Sequence, residues 1–188
     1  MKKSLGPRTL AFPTPVWLVG TYDAAGKANV MTAAWAGICC SRPPCVTVSL
    51  RQATYTYGNL LLKKAFTVSI PSEARVREAD YCGIASGKTG DKFAAAGFTA
   101  VKSGLVDAPY VQECPLVLEC NLIHTLEIGL HTLFVGEILD VKADAEVLGD
   151  KGLPDIEKVK PVIFGPEIRS YHGIGQYLGR AFAIGKEI

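Results

Sequence analysis

Residues 26–51 read GKANVMTAAWAGICCSRPPCVTVSLR, and the reading of this stretch decides the fold. Asn29, Thr32, Ser41, Thr47, Ser49 and Arg51 stand there among small and apolar residues, on two segments joined by the rigid turn Arg42-Pro43-Pro44. Over residues 46–51 the side chains alternate, with Val46, Val48 and Leu50 on one face and Thr47, Ser49 and Arg51 on the other. That is the period of a β-strand. A solvated strand face would carry Lys, Glu and Thr, whereas this one holds small hydroxyls and ends in a single Arg. Such a face suits a pocket for an anion or a heteroaromatic ring. An ordinary half-buried hairpin produces the same alternation, so the pattern alone leaves both open.

Outward from this block, apolar runs and turn residues predict a strand over 16–22, a turn over 23–27 and a second strand over 28–35. Residues 54–64 read as a helix with Thr54 or Thr56 as N-cap and lysines in the last turn. A strand over 66–70 is stopped by Pro71. Ser72 opens a helix that runs to about residue 85, with Gly87 suited to its exit. A polar loop over 86–92 leads into a short helical turn over 93–96. Two long β segments, 116–129 and 131–142, are expected to pair antiparallel around Gly129-Leu130. A charged loop over 143–160 precedes a last strand over 161–164. The tail, 171–188, is rich in Gly and aromatic residues and could pack across the body or a partner. Six strands ahead of that last short one, with two or three helices between them, predict a mainly β fold, an antiparallel barrel with flanking helices. The absence of a regular strand–helix alternation argues against a doubly wound sheet.

Length and composition agree with one domain over residues 1–188, built from short elements with many turns: 48% of residues are hydrophobic, with 19 Gly and 11 Pro. The net charge is +2, and Lys and Arg are dispersed, so no basic stripe serves nucleic acid. No apolar run reaches the length of a signal peptide or a membrane span, which predicts a cytoplasmic protein with no membrane partner. The six cysteines show no C-x-x-C spacing. They read as buried free thiols in a reducing compartment, with no metal site.

Catalytic patterns are sparse. The loop SGKTGDKF lacks the leading Gly of a P-loop and follows a helix rather than a strand, yet its Gly-rich turn with Lys88 and Lys92 could bind one phosphate, or simply be solvated. Of three histidines, only His131 opens a strand just after a turn, a position at a barrel mouth that is also common for surface residues. No Ser–His–Asp order and no paired carboxylates stand out. Trp17 and Trp35 suit either a flat ligand or the core. Donors and small hydroxyls without strong bases suit a cofactor that does its own chemistry.

The block 26–35, the turn 41–44, the strand 46–51 and the later segment GLHTLFVGE at 129–137 together resemble the flavin reductase-like, FMN-binding split-barrel family. The resemblance covers nearly the whole chain. It implies a six-stranded antiparallel Greek-key split barrel and a homodimer, with FMN held non-covalently near the subunit interface. By position it implies that Asn29, Val30, Met31 and Thr32 contact the isoalloxazine and ribityl groups and that Trp35 borders the ring. Ser49, Leu50 and Arg51, with Tyr55 and Thr56, would hold ribityl and phosphate. Ser86, Thr89 and Lys92 would approach from the loop, and His131 and Phe164 would sit at the reactive edge. Lys92 and His131 are the candidates for stabilising the reduced, more anionic flavin. Many members carry Asp where this chain has Leu130. That departure favours an electron carrier that keeps its flavin, fed by a redox partner protein or NAD(P)H, over an NAD(P)H:flavin oxidoreductase that releases it. A dimeric barrel for another cofactor, such as pyridoxal phosphate or haem, is the third reading.

Overall fold

Runs of β-branched and apolar residues that bury both faces set the frame. A computed structural model describes residues 1–187, and in it 41% of the chain is strand and 19% helix. In chain order the first elements are β1 (Thr14–Pro15), β2 (Trp17–Tyr22), β3 (Ala28–Ala33), β4 (Ala36–Ser41) and β5 (Pro44–Arg51), then helix α1 (Tyr55–Lys63) and β6 (Ala65–Ile70). A 3-10 turn at Glu73–Arg75 leads into α2 (Val76–Ile84), followed by α3 (Lys92–Ala96) and the short strands β7 (Ala100–Lys102) and β8 (Pro109–Val111). The long strands β9 (Leu116–Ile128) and β10 (His131–Ala143) come next, then α4 (Ile156–Val159), β11 (Ile163–Gly165) and β12 (Ser170–His172).

Seven strands form one antiparallel sheet in the order β3-β2-β6-β9-β10-β5-β4, joined by a three-stranded sheet β1-β11-β12 and the pair β7-β8. The class is that of the split barrel expected from the sequence, with one more strand in the main sheet than the six anticipated. The extra strand is β4. It lies at the sheet edge with only β5 beside it, and a register shift between Ile38 and Cys40 breaks its alternation, so period-2 reading passes over it. The hairpin of β9 and β10 turns at Gly129-Leu130 as expected, with Gly129 at φ 51°, and two register shifts bend it along its length.

Two cores share β2 and β3. Trp17 and Val19 point inward with Val46, Val48, Leu50, Leu60, Phe66, Val68 and Phe134, while Val16, Leu18 and Val30 face Ala79, Cys82 and Phe93 of the covering helices and Phe98 just beyond α3. This explains why residues 17–21 are all buried and lack a polar face. Cys45, Cys82, Cys114 and Cys120 are the buried free thiols anticipated, but Cys39 and Cys40 are exposed. The correction has the same origin as the missed strand: both lie on the uncovered edge β4.

Gly20 shows how tightly β2 is crossed by the strand above it. A Cβ there would overlap the Pro109 carbonyl oxygen and lie 2.5 Å from Thr67 Oγ1, which itself donates to that carbonyl at 2.5 Å. We expect Gly20→Ala to destabilise the fold by about 1–3 kcal/mol. A urea midpoint at the parental value, with unchanged slope, would refute this packing account.

Candidate functional site

The C-terminal end of β5 places Arg51 directly opposite His131, the first residue of β10. Around this pair lie two adjoining chambers, of about 310 and 420 Å³, each of a size that holds small-molecule ligands. Met31, Arg51, Thr54, Gly83 and Ile84 line both, so the two form one groove between β3, β5 and α2.

The smaller chamber is polar. It is bounded by Thr54, Tyr55 and Thr56 at the start of α1, by Ser86 and Gly87, and by Lys92. Thr54 occupies the N-cap position, but its hydroxyl donates to the Arg51 carbonyl at 2.8 Å and makes no cap hydrogen bond. The first-turn N–H groups of α1 therefore lack a side-chain cap, and such groups favour an anion. Lys92 is buried, donates to the Cys82 carbonyl at 3.0 Å, and has its pKa lowered by desolvation, opposed by the Cys82 thiol. Burial drives the Cys82 thiol itself up to about 11, so it is protonated and no nucleophile at neutral pH.

Asn29 stands behind this chamber. Its Nδ2 donates to Thr56 Oγ1 at 2.9 Å, while its buried Oδ1 has no partner among the described residues. The 86–92 loop is pressed against it: a Cβ on Gly87 would overlap Asn29 Oδ1 and lie 2.7 Å from Tyr55 Cδ1. Tyr55 is fixed from its other end, donating to Asp23 Oδ2 at 2.8 Å.

The larger chamber has aromatic walls. Trp35 and His131 lie with ring planes 6° apart and centroids 6.2 Å apart, and Phe164 packs on Tyr171 at 5.4 Å. Met31, Thr32, Ser49 and Leu50 help complete it. Thr32 Oγ1 donates to the Ala79 carbonyl and so ties β3 to α2, and Ser49 N donates to the Trp35 carbonyl at 2.8 Å.

Residues 9–163 match the model of the flavin reductase like domain. The chain belongs to the flavin reductase-like family. It is similar to flavoredoxin of Desulfovibrio vulgaris (Miyazaki F), 59% identical over 99% of this chain and 100% of that one, with a TM-score of 0.95. Flavoredoxin from Methanosarcina acetivorans is 33% identical over 100% and 98% of the two chains, with a TM-score of 0.92. An uncharacterized protein of Archaeoglobus fulgidus is 35% identical over 77% of this chain and 80% of its own. The family match and the likeness to flavoredoxin support an FMN-binding flavoprotein of electron transfer.

The groove fits FMN on its own chemistry. It pairs cations and uncapped N–H groups at one end with a flat aromatic slot at the other, and it leaves the buried Asn29 oxygen in need of a donor. Of the residues selected from the sequence, Met31, Thr32, Trp35, Ser49, Leu50, Arg51, Tyr55, Thr56, Ser86, Lys92, His131 and Phe164 line one chamber or both. Asn29 lies just behind. Val30 turns its side chain into the core and lines neither chamber, and Thr89 is exposed, donating to the Ser86 carbonyl at 3.2 Å. The two tuning candidates part company: His131 lines the aromatic chamber and Lys92 the polar one. Sequence reasoning passed over Asp80, Gly83, Ile84 and Tyr171, which line the aromatic chamber from α2 and β12. Nothing in the spacing of 80–84 separates a groove-facing side of α2 from a solvent-facing one.

The lowered Lys92 pKa has a definite sign. Between the folded value and the ordinary lysine value the unfolded chain binds more protons, so apo stability rises with pH across that window. We expect Lys92→Met to flatten that rise in apo-protein denaturation and to weaken FMN binding by about tenfold or more. Parental FMN affinity in the variant would remove Lys92 from the site.

Proposed function

We propose that the protein is an electron carrier that retains FMN without a covalent link and exchanges electrons with a redox partner, as a homodimer in the cytoplasm. The observation that carries the reading is the division of one groove into a cationic, donor-rich end and an aromatic end. Bound FMN supplies the one- and two-electron chemistry. In this assignment Arg51, Lys92 and the first turn of α1 take the phosphate, with the Thr56 and Ser86 hydroxyls beside it. Trp35, His131 and Phe164 flank the ring and exclude water from it. Asn29 Oδ1 accepts a hydrogen bond from the ribityl chain or an ordered water, and Thr32 fixes the distance between β3 and α2. Leu130, at the exposed hairpin tip, cannot polarise His131 as an acid would, which supports retention of flavin over turnover with NAD(P)H.

The expected material is yellow after exhaustive dialysis, shows the two visible bands of oxidised flavin, and is reduced by dithionite but only slowly by NADH or NADPH. Colourless protein that consumes NADH only with added FMN would identify a flavin-releasing reductase. A spectrum without the flavin bands would identify another cofactor.

Two surfaces support the homodimer. Ile123, Leu126, Ile128 and Leu130 are exposed on the outer half of the β9–β10 hairpin, and Tyr177, Leu178 and Phe182 are exposed on the tail. Apolar surface gathered in this way marks an interface. Ile188 of the 171–188 tail lies outside the described residues. The six unbridged cysteines support a reducing compartment. Sedimentation equilibrium is expected to give a dimer for the parent and a monomer for Leu126→Lys/Leu130→Lys. A monomeric parent would end the proposal.

A further inference from the structure

Asp80 is the one carboxylate, among the described residues, that lines either chamber of the groove. It sits on α2 one helical turn before Gly83 and Ile84, which border both chambers, and it borders only the aromatic one. It therefore stands toward the ring end of the groove, away from Arg51's polar neighbours. Tyr171 donates to Asp80 Oδ1 at 2.8 Å, and Tyr171 is in turn packed against Phe164 with the ring planes tilted by 48°. No other hydrogen bond and no ion pair to Asp80 is made by the described residues, so its second oxygen and its charge are left free. Asp80, Trp35, Phe164 and Tyr171 also border an outer space of about 430 Å³ that includes Thr9, Glu167 and Arg169, which puts the carboxylate in the wall between ring chamber and exterior.

We propose that Asp80, positioned by Tyr171, is the residue that holds the FMN reduction potential down in this protein. The inference rests on placing the flavin ring in the aromatic chamber. Electrons entering the ring bring negative charge, and a fixed carboxylate in a partly desolvated wall opposes that charge more than it opposes the oxidised, neutral ring. The protein then binds reduced FMN less tightly, relative to oxidised FMN, than it would without Asp80. Tyr171 acts through Asp80: its hydroxyl, whose pKa is pushed up to about 12 mainly by burial and then by Asp80 itself, stays a donor and keeps the carboxylate turned to the chamber wall. His131 borders the same chamber as Asp80.

Redox titration of the FMN-loaded protein tests this. Asp80→Asn is expected to raise the ratio of reduced to oxidised FMN affinity about tenfold, which is about 30 mV upward for a two-electron couple. Asp80→Glu, which keeps the charge, is expected to stay close to the parent. Tyr171→Phe should shift the potential the same way by less, and the double variant Asp80→Asn/Tyr171→Phe no further than Asp80→Asn. An unchanged or lowered potential in Asp80→Asn, with FMN still bound and Arg51→Ala still weakening it, overturns the role of Asp80 alone. Loss of FMN from Asp80→Asn but not from Asp80→Glu also overturns it, by making the acid a binding residue instead. Parental FMN affinity in Arg51→Ala would instead overturn the placement of the cofactor.

Discussion

The pairing of β5 with β10 is the constraint on which the rest of the molecule depends. It runs from Cys45↔Glu137 to Arg51↔His131 and joins segments that are eighty residues apart in sequence at their functional ends. Along the shared length Val46, Val48 and Leu50 close the inner core with Phe134, while Ser49 and Arg51 are left for the groove. The same alternation therefore produces both the core and the site. A slip of one residue would exchange them, turning Arg51 inward and Leu50 out. The bulk of Phe66, which would overlap any Cβ on Gly136, helps hold the register at the middle of β10.

Once β5 and β10 are fixed, the groove is completed by elements that come from elsewhere in the chain. Helix α2 lies on β3, pinned by Thr32 to the Ala79 carbonyl, and it carries Asp80, Gly83 and Ile84 to the opposite wall. Strand β12 pairs with β11 and brings Tyr171 to Asp80. The charges are thereby sorted along the groove, with Lys92 in the polar chamber, Arg51 at the junction and Asp80 in the aromatic chamber. A phosphate and a redox-active ring make opposite electrostatic demands, and in the proposed site this sorting meets each at its own end.

Legibility in the sequence followed the same division. The β5 alternation, the hairpin turn at Gly129-Leu130 and the start of α1 were readable because each rests on local chemistry: period, left-handed glycine, hydroxyls ahead of a helix. Arg51 was readable as the polar end of an alternating strand, Thr56 as a hydroxyl at a helix start, Lys92 as a cation in a Gly-rich loop and His131 as the residue that opens a strand after a turn. Strand β4 was not, because an edge strand with a bulge has no buried face to impose a period. The exposure of Cys39 and Cys40 went unread for that reason too. Asp80 and Tyr171 were out of reach because each looks ordinary in its own segment, and only the packing of α2 against β12 joins them. Val30 and Thr89 line neither chamber, turned elsewhere by strand alternation and by a local turn.

The 86–92 loop is where cofactor binding and fold stability meet. Its backbone is pressed so closely on Asn29 and Tyr55 at Gly87 that it cannot move without uncovering a buried amide, and at its end Asp91 caps α3 by accepting from Ala94 N at 3.1 Å. That cap delivers Lys92 into a buried position where desolvation disfavours its charge and a single carbonyl is its hydrogen-bond partner. A buried cation so placed is costly until an anion joins it. In the proposed site, a phosphate at the α1 terminus would remove that cost and provide a reason for the loop to stay closed on Asn29. On that proposal, tight retention of the flavin would follow from relief of the buried charge rather than from the number of contacts, the physical counterpart of a carrier that does not release its cofactor.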